Sequence, residues 1–166
     1  MGAQGTRAVD AAKRAGIPHT VHEYAHDDRA SLRTGGKGYA LEAVDALGID
    51  AARVFKTIVV DVDGRLGLAI VPADAEVDLK AAADALGGRK ATIAQAADAE
   101  RATGYVLGGI SPLGTRRPLP VVVDASAATF ATIHVSAGRR GLEIELAAAD
   151  LLALTKGLLA PVARAR

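Results

Sequence analysis

Hydrophobic and polar positions along this chain switch between two periods, and the switches mark its elements. From Thr6 onward the apolar positions Val9, Ala12 and Ala15 share one side of a helix. Thr6 can cap that helix, and Gly16 followed by Pro18 stops it. Between Thr20 and His26 the period falls to two, with Val21, Glu23 and Ala25 on one face of a strand and His22, Tyr24 and His26 on the other. The polar stretch from Asp27 to Gly38 carries Arg29, Arg33 and Lys37 around Gly35-Gly36 and reads as a mobile basic loop able to act as a lid. A helix over Ala40 to Leu47 follows and ends at Gly48.

The next segment predicts a hairpin, Val54 to Val62 and Arg65 to Val71, because Asp63-Gly64 is the two-residue signal for a type I′ turn. Asp78 caps an alanine-rich helix reaching Leu86, and a weaker helical piece spans Gln95 to Thr103. Later strands are expected at Tyr105 to Ile110, at Val121 to Asp124, and as the pair Thr132 to Ser136 with Leu142 to Leu146 joined through residues 137–141. A last helix runs from Ala148 to Lys156. Short hairpin connections favour antiparallel pairing and the internal helices allow some parallel crossovers, so the sheet should be mixed. No composition break or repeat divides the 166 residues, which predicts one α+β domain over 1–166 with a core from about 6 to 156.

Composition narrows the function. Alanine supplies 37 residues and aromatics are only 3%, so the core must be small-grained and built from Val, Leu, Ile and Ala. A charged fraction of 23% with half the residues hydrophobic excludes disorder. The net charge of +1 gives no long-range attraction to phosphate, which argues against a DNA-binding protein and leaves room for only a local polynucleotide contact. The absence of cysteine removes disulfides, thiolate metal sites and a cysteine nucleophile, and fits a reducing compartment. No stretch approaches the roughly 18 apolar residues of a membrane span, so a cytoplasmic protein is expected.

Among candidate chemical groups, Lys56 interrupts the apolar strand face of Val54, Ile58, Val60 and Val62. It either snorkels to water or directs its ammonium into a pocket to hold a phosphate or carbonyl oxygen. The run Gly104 to Gly114 holds four glycines, as expected of a backbone that approaches a ligand closely or of a bulged strand and turn. Ser111 within it lacks the glycine two residues on that a nucleophile elbow requires, since that position is Leu113. His19, His22 and His26 stand at helical spacing, but the strand pattern turns His19 away, so no metal is expected. His22 and His26 could bracket Tyr24 in a site, or decorate a wet face. Arg139-Arg140 and Arg116-Arg117 are either solvated surface or, with Lys56, a basic rim.

These pieces, in this order, resemble the YbaK family of aminoacyl-tRNA deacylases, free-standing relatives of the editing domain inserted in bacterial prolyl-tRNA synthetases. The resemblance runs from about Val9 to Leu152, through the segments 22–27, Val54-Phe55-Lys56-Thr57, Thr103-Gly104-Tyr105, Gly108 to Gly114, and 141–146. Its most specific part is the run Thr103 to Gly114, and within the family it is most similar to the Cys-tRNA(Pro) deacylase branch.

The resemblance implies a curved, largely antiparallel sheet with flanking helices, no cofactor, and a pocket for the aminoacylated 3′ end of tRNA. It implies catalytic roles for Lys56, Tyr24, Gly108 and Gly109, with His22, Ser111, Pro112, Arg139 and Arg140 on the substrate side. Prolyl-tRNA synthetase is the implied partner. Removal of alanine or serine from other mischarged tRNAs, or binding of charged tRNA without turnover, are the alternatives. The segment Asp28 to Gly38 is longer and more basic than the family's loop, so it carries no site assignment.

Overall fold

The computed structural model describes residues 5–25 and 39–165. The first helix, α1 (Arg7–Ala15), begins where Thr6 accepts a hydrogen bond from the Val9 N–H at 3.1 Å and ends at left-handed Gly16, as the sequence predicts. The strand after it, β1 (Thr20–Glu23), is shorter than expected. Tyr24 still donates its N–H to the Gly141 carbonyl at 2.9 Å, whereas His26 and the basic loop lie outside the described residues. Helix α2 (Tyr39–Leu47) leads into the hairpin of β2 (Phe55–Val62) and β3 (Arg65–Pro72). Its turn residues Asp63 and Gly64 have φ of 51° and 89°, as a type I′ turn requires.

Beyond the hairpin come β4 (Ala75–Val77), α3 (Leu79–Ala85) capped by Asp78, β5 (Ala91–Ile93), α4 (Ala96–Thr103) and β6 (Val121–Asp124). The chain finishes with β7 (Ile133–Arg139), β8 (Leu142–Leu146), α5 (Ala148–Thr155), β9 (Leu158–Ala160) and β10 (Ala163–Ala165). The fold is α+β. Its strands form three hydrogen-bonded sets: β5-β2-β3-β6-β9, β1-β8-β7 and β10-β4. Pairing is mostly antiparallel, with β3-β6 and β6-β9 parallel.

Three expectations are corrected. Tyr105 to Ile110 is not a strand: Gly109 N–H closes a turn on the Val106 carbonyl at 2.9 Å and Gly108 sits at φ 89°. The β7 strand runs on to Arg139, so the connection to β8 is only Arg140-Gly141 and the extra residues are absorbed by a bulge between Ser136 and Arg139. Four three-residue strands, β4, β5, β9 and β10, were too short to leave a period in the sequence.

The five-stranded sheet is apolar on both faces. Phe55, Val59, Leu68, Ile70, Val121 and Val123 join the main core with α1 and the apolar side of β7 and β8. Val60, Val62, Ala69, Val71 and Val122 pack with Ala82 and Ala83 of α3. The three-stranded sheet is instead strictly two-faced. Register pairs Val21 and Val135 with Ile144 on its core side, and His22 and Ser136 with Glu143 on its polar side.

Candidate active site

Strand β2 pairs with β5 only over Val60 to Val62, so its first half has no β5 partner along that edge. There β7 approaches through a single parallel bridge, Val54 to His134, beyond which β2 and β7 pair no further. The gap between them is a cavity of ≈ 370 Å³. The consecutive residues Phe55 to Ile58 form one wall, and Ser136 and Glu143 from the polar face of β7 and β8 form the opposite one. Tyr39 and Ala40 at the start of α2, with Leu107, Gly108 and Ile110 of the glycine-rich loop, complete it.

Among the described residues the cavity thus collects one cation, Lys56, and one buried acid, Glu143, which is only 7% exposed. Burial pushes the Glu143 carboxyl up to about 8, so near neutral pH it keeps its proton and can donate a hydrogen bond. Thr57 adds a buried hydroxyl without a hydrogen-bond partner among the described residues. Ser136 Oγ accepts the Gly138 N–H at 3.2 Å, and among the described residues no histidine lines the cavity to act as its base. Next to Glu143 stands Tyr24, whose phenol is held above its ordinary value first by burial and then by the negative charge Glu143 carries when ionised.

The glycine-rich loop is held in place by side chains. The Tyr105 hydroxyl donates to the Leu113 carbonyl at 2.6 Å, and burial pushes that phenol up to about 12. Ser111, fully buried, accepts the Leu113 N–H at 3.2 Å. Gly109 lies so close to the β7-β8 turn that a Cβ on it would come within 2.7 Å of Arg139 Cα. On Gly108 a Cβ would meet Arg140 Nε at 2.6 Å and the Tyr39 ring at 2.9 Å.

Along the same polar face, next to the cavity, lies a second cluster. His22 Nε2 pairs with Glu145 Oε1 at 2.8 Å, while Thr132 and Arg53 engage Oε2, the latter at 3.4 Å. His134 sits beside them with its ring 5.2 Å from His22. Donor atoms of His22, His134 and Glu145 fall within 4.8 Å of one another, the one such group among the described residues. Both oxygens of Glu145 are already committed, and Arg53 adds positive charge, so the cluster reads as a hydrogen-bonded network rather than a cation site. Its acid is held down to about 2 by the Thr132 and His22 bonds, and burial pushes His134 down to about 4.

The structure therefore brings Lys56 and Gly108 together in one cavity, with Gly109 behind Gly108 and Tyr24 beside Glu143. It does not bring the remaining expected residues there. His22 belongs to the Glu145 network, Ser111 closes the loop's own turn, and Pro112 lines a separate hollow with Leu113 and Leu119. Arg139 pairs with Glu23 at 2.9 Å, and Arg140 is engaged by the Leu107 carbonyl. Sequence reasoning missed Glu143, Thr57 and Tyr39. For Thr57 a signal was present, a hydroxyl next to the singled-out lysine, whereas Glu143, like Glu145, alternates with Leu142 and Ile144 as any acid on the polar face of a strand does.

Comparison with known proteins places this geometry. Residues 37–154 match the model of the aminoacyl-tRNA editing domain. Over 162 residues the chain is 35% identical to a protein of Enterococcus faecalis carrying the name Cys-tRNA(Pro)/Cys-tRNA(Cys) deacylase EbsC, covering 96% of this chain and 93% of that one. It is 31% identical over 111 residues to the proline–tRNA ligase of Acidithiobacillus ferrooxidans, spanning 67% of this chain but only 20% of the ligase. Among solved structures, a trans-editing enzyme for prolyl tRNA synthetase superposes with a TM-score of 0.81 at 22% identity, over 99% of both chains. A protein called APE2540 superposes with a TM-score of 0.82 at 20% identity, over 96% of this chain and all of that one. The chain belongs to the aminoacyl-tRNA editing domain family, and its activity is that of an aminoacyl-tRNA deacylase.

Proposed function

We propose that this protein removes cysteine from Cys-tRNA(Pro) after transfer, and that the substrate's own thiol does the work of a nucleophile. The observation that carries this reading is the make-up of the cavity: a lysine, a protonated acid and hydroxyls, with no histidine among its described lining residues, in a chain without cysteine. An aminoacyl ester is already activated, and a cysteinyl side chain carries its thiol beside the carbonyl, so holding the two in reactive geometry replaces an enzyme nucleophile. In that step the sulfur bonds to the carbonyl carbon and the ester C–O bond breaks. The thiol proton passes to the departing ribose oxygen, leaving uncharged tRNA and a thiolactone.

Each group then has a task. Lys56 holds the 3′ end as a compact positive charge, and Glu143, donating from its neutral form, steadies an oxygen that gains charge. Backbone amides near Gly108 and Gly109 serve the carbonyl oxygen, and Tyr24 shapes the pocket behind Glu143. The similarity to an E. faecalis protein named for Cys-tRNA(Pro) supports cysteine as the amino acid. Similarity to segments of proline–tRNA ligases supports prolyl-tRNA synthetase as the partner that presents the tRNA, as does a net charge of only +1, which gives little grip on free tRNA.

Single-turnover deacylation of Cys-, Ala- and Ser-tRNA(Pro) by wild type and Lys56→Ala tests the reading. Fast, lysine-dependent loss of cysteine alone is expected. Equal rates on the serine or alanine ester, which lack the thiol, would sink the thiol mechanism and move the protein to another substrate.

A further inference from the structure

Arg140 connects two walls of the cavity that share no element of secondary structure. Its Nε and Nη2 both donate to the Leu107 carbonyl, at 3.0 and 2.7 Å, so the guanidinium forks onto one oxygen of the glycine-rich loop. The same guanidinium lies 4.4 Å above the centre of the Tyr39 ring at the start of α2. Leu107 and Tyr39 both line the cavity. Gly108 fits beneath this bridge only because it has no side chain, since a Cβ there would stand 2.6 Å from Arg140 Nε.

We propose that Arg140 is a positioning residue that sets the width of this cavity, and with it the size of the aminoacyl side chain admitted. The proposal rests on the cavity being the aminoacyl pocket argued above. A planar guanidinium with rigid donors suits this use better than a lysine, which would supply one mobile point charge. The cation over the ring holds the helix end, and the fork holds the loop. With the bridge cut, the direct tie that links Leu107 to Tyr39 through one guanidinium is lost, while Leu107 N–H keeps its bond to Glu100 at 2.9 Å. An opening of one methylene in a pocket of this kind changes discrimination by about 10-fold or more. A different use of Arg140, gripping a tRNA phosphate, would leave size selection untouched.

Binding of stable 3′-aminoacylamido-3′-deoxyadenosine analogues separates these cases without depending on the thiol step. The alanyl, cysteinyl and methionyl analogues are titrated calorimetrically into wild type, Arg140→Ala, Arg140→Lys and Tyr39→Leu, with melting curves confirming that each variant is folded. Wild type is expected to favour the small side chains. Arg140→Ala and Tyr39→Leu should each lower the ratio of cysteinyl to methionyl affinity by about 10-fold or more, with Arg140→Lys in between. The width proposal is overturned by wild type ranking the analogues by size and both variants keeping that ranking, whether affinity is unchanged or uniformly weaker. If wild type binds none of them, the pocket assignment itself falls, and the proposal with it. Should Arg140→Ala fail to fold, Tyr39→Leu carries the test alone, because it removes the ring and leaves the Leu107 fork intact.

Discussion

Lys56 and Glu143 belong to two different sheets and face into the same cavity. Among the described residues Lys56 is the cation that lines it, and burial keeps the acid across from it neutral near pH 7. Lys56→Ala should therefore lower single-turnover deacylation by about 10²-fold or more, the scale of losing one preorganised electrostatic contact. The melting temperature should barely move, because the residue is half-buried at a strand start and belongs to none of the three hydrophobic clusters. A large loss of stability alongside the activity would mean that the lysine is structural.

Glu143 makes the folded state pH-dependent in a direction unusual for a carboxylate. Its group titrates at 4.5 when unperturbed and near 8 in the fold, so between those values the folded chain holds a proton that the unfolded chain has released. Stability contributed by this group is full below 4.5 and lost as pH rises towards 8. His134 runs the other way. Burial lowers it from 6.5 to about 4, so the unfolded chain binds the extra proton and stability falls as pH drops through that window. The two slopes oppose each other between pH 4.5 and 6.5. Denaturation at a series of pH values should show stability nearly level there and declining above 6.5. Glu143→Gln should abolish that decline and uncover a rise from about pH 4 to 6.5.

Glu145 adds an acid limit. Hydrogen bonds from Thr132 and His22 lower its carboxyl from 4.5 to about 2, so its contribution is present above 4.5 and lost as pH falls towards 2. Thr132→Val removes the first of those causes. It should raise the midpoint of acid unfolding while leaving the stability decline above pH 6.5 as it is in wild type. An unchanged acid midpoint would show that the Thr132 bond does not hold Glu145 down.

Much of this fold was legible because local chemistry and tertiary structure agree. Thr6 and Asp78 cap helices, Asp63-Gly64 turns the hairpin, and the alternation in β7 and β8 fixes which face is polar. The strand expected at Tyr105 to Ile110 failed because its apolar residues satisfy a loop's needs: Tyr105 and Ile110 are core, but Gly108 and the Ser111 turn break the ladder. The site was legible only in part. Lys56 announces itself by interrupting an apolar face. Glu143, separated from it by about half of the chain, becomes a neighbour through the Val54 to His134 bridge and the shared core of Phe55 with β7 and β8, contacts without any periodic trace. Arg139 and Arg140 look like surface charge in sequence, and acquire their partners Glu23, Leu107 and Tyr39 from the packing of the loop on the turn.

Ser111 separates editing by substrate assistance from ordinary serine hydrolysis. It is fully buried, and its oxygen accepts the Leu113 N–H. Ser111→Ala leaves that donor unpaired, which costs about 1–2 kcal/mol of stability, but deacylation should stay within about threefold of wild type, well inside the loss expected for a missing nucleophile. A loss comparable to that of Lys56→Ala would restore Ser111 as a reacting group.

Gly109 and Gly64 make a matched pair for testing how much of the activity depends on the loop's seat. At Gly64, in the exposed hairpin turn, φ is 89° and an added Cβ meets nothing within 4 Å, so Gly64→Ala costs only backbone strain, about 1 kcal/mol. At Gly109 the new methyl would lie 2.7 Å from Arg139 Cα and 2.9 Å from its carbonyl carbon. These are backbone atoms, which cannot swing aside as a flexible side chain does, so the loop itself must lift from the turn. Gly109→Ala should cost about 1–3 kcal/mol and also reduce deacylation strongly, since Leu107 and Gly108 move with it and both line the cavity. Gly64→Ala should leave deacylation at the wild-type rate below its melting temperature. Equal activity in the two variants would show that the seat of the glycine loop on Arg139 plays no part in the reaction.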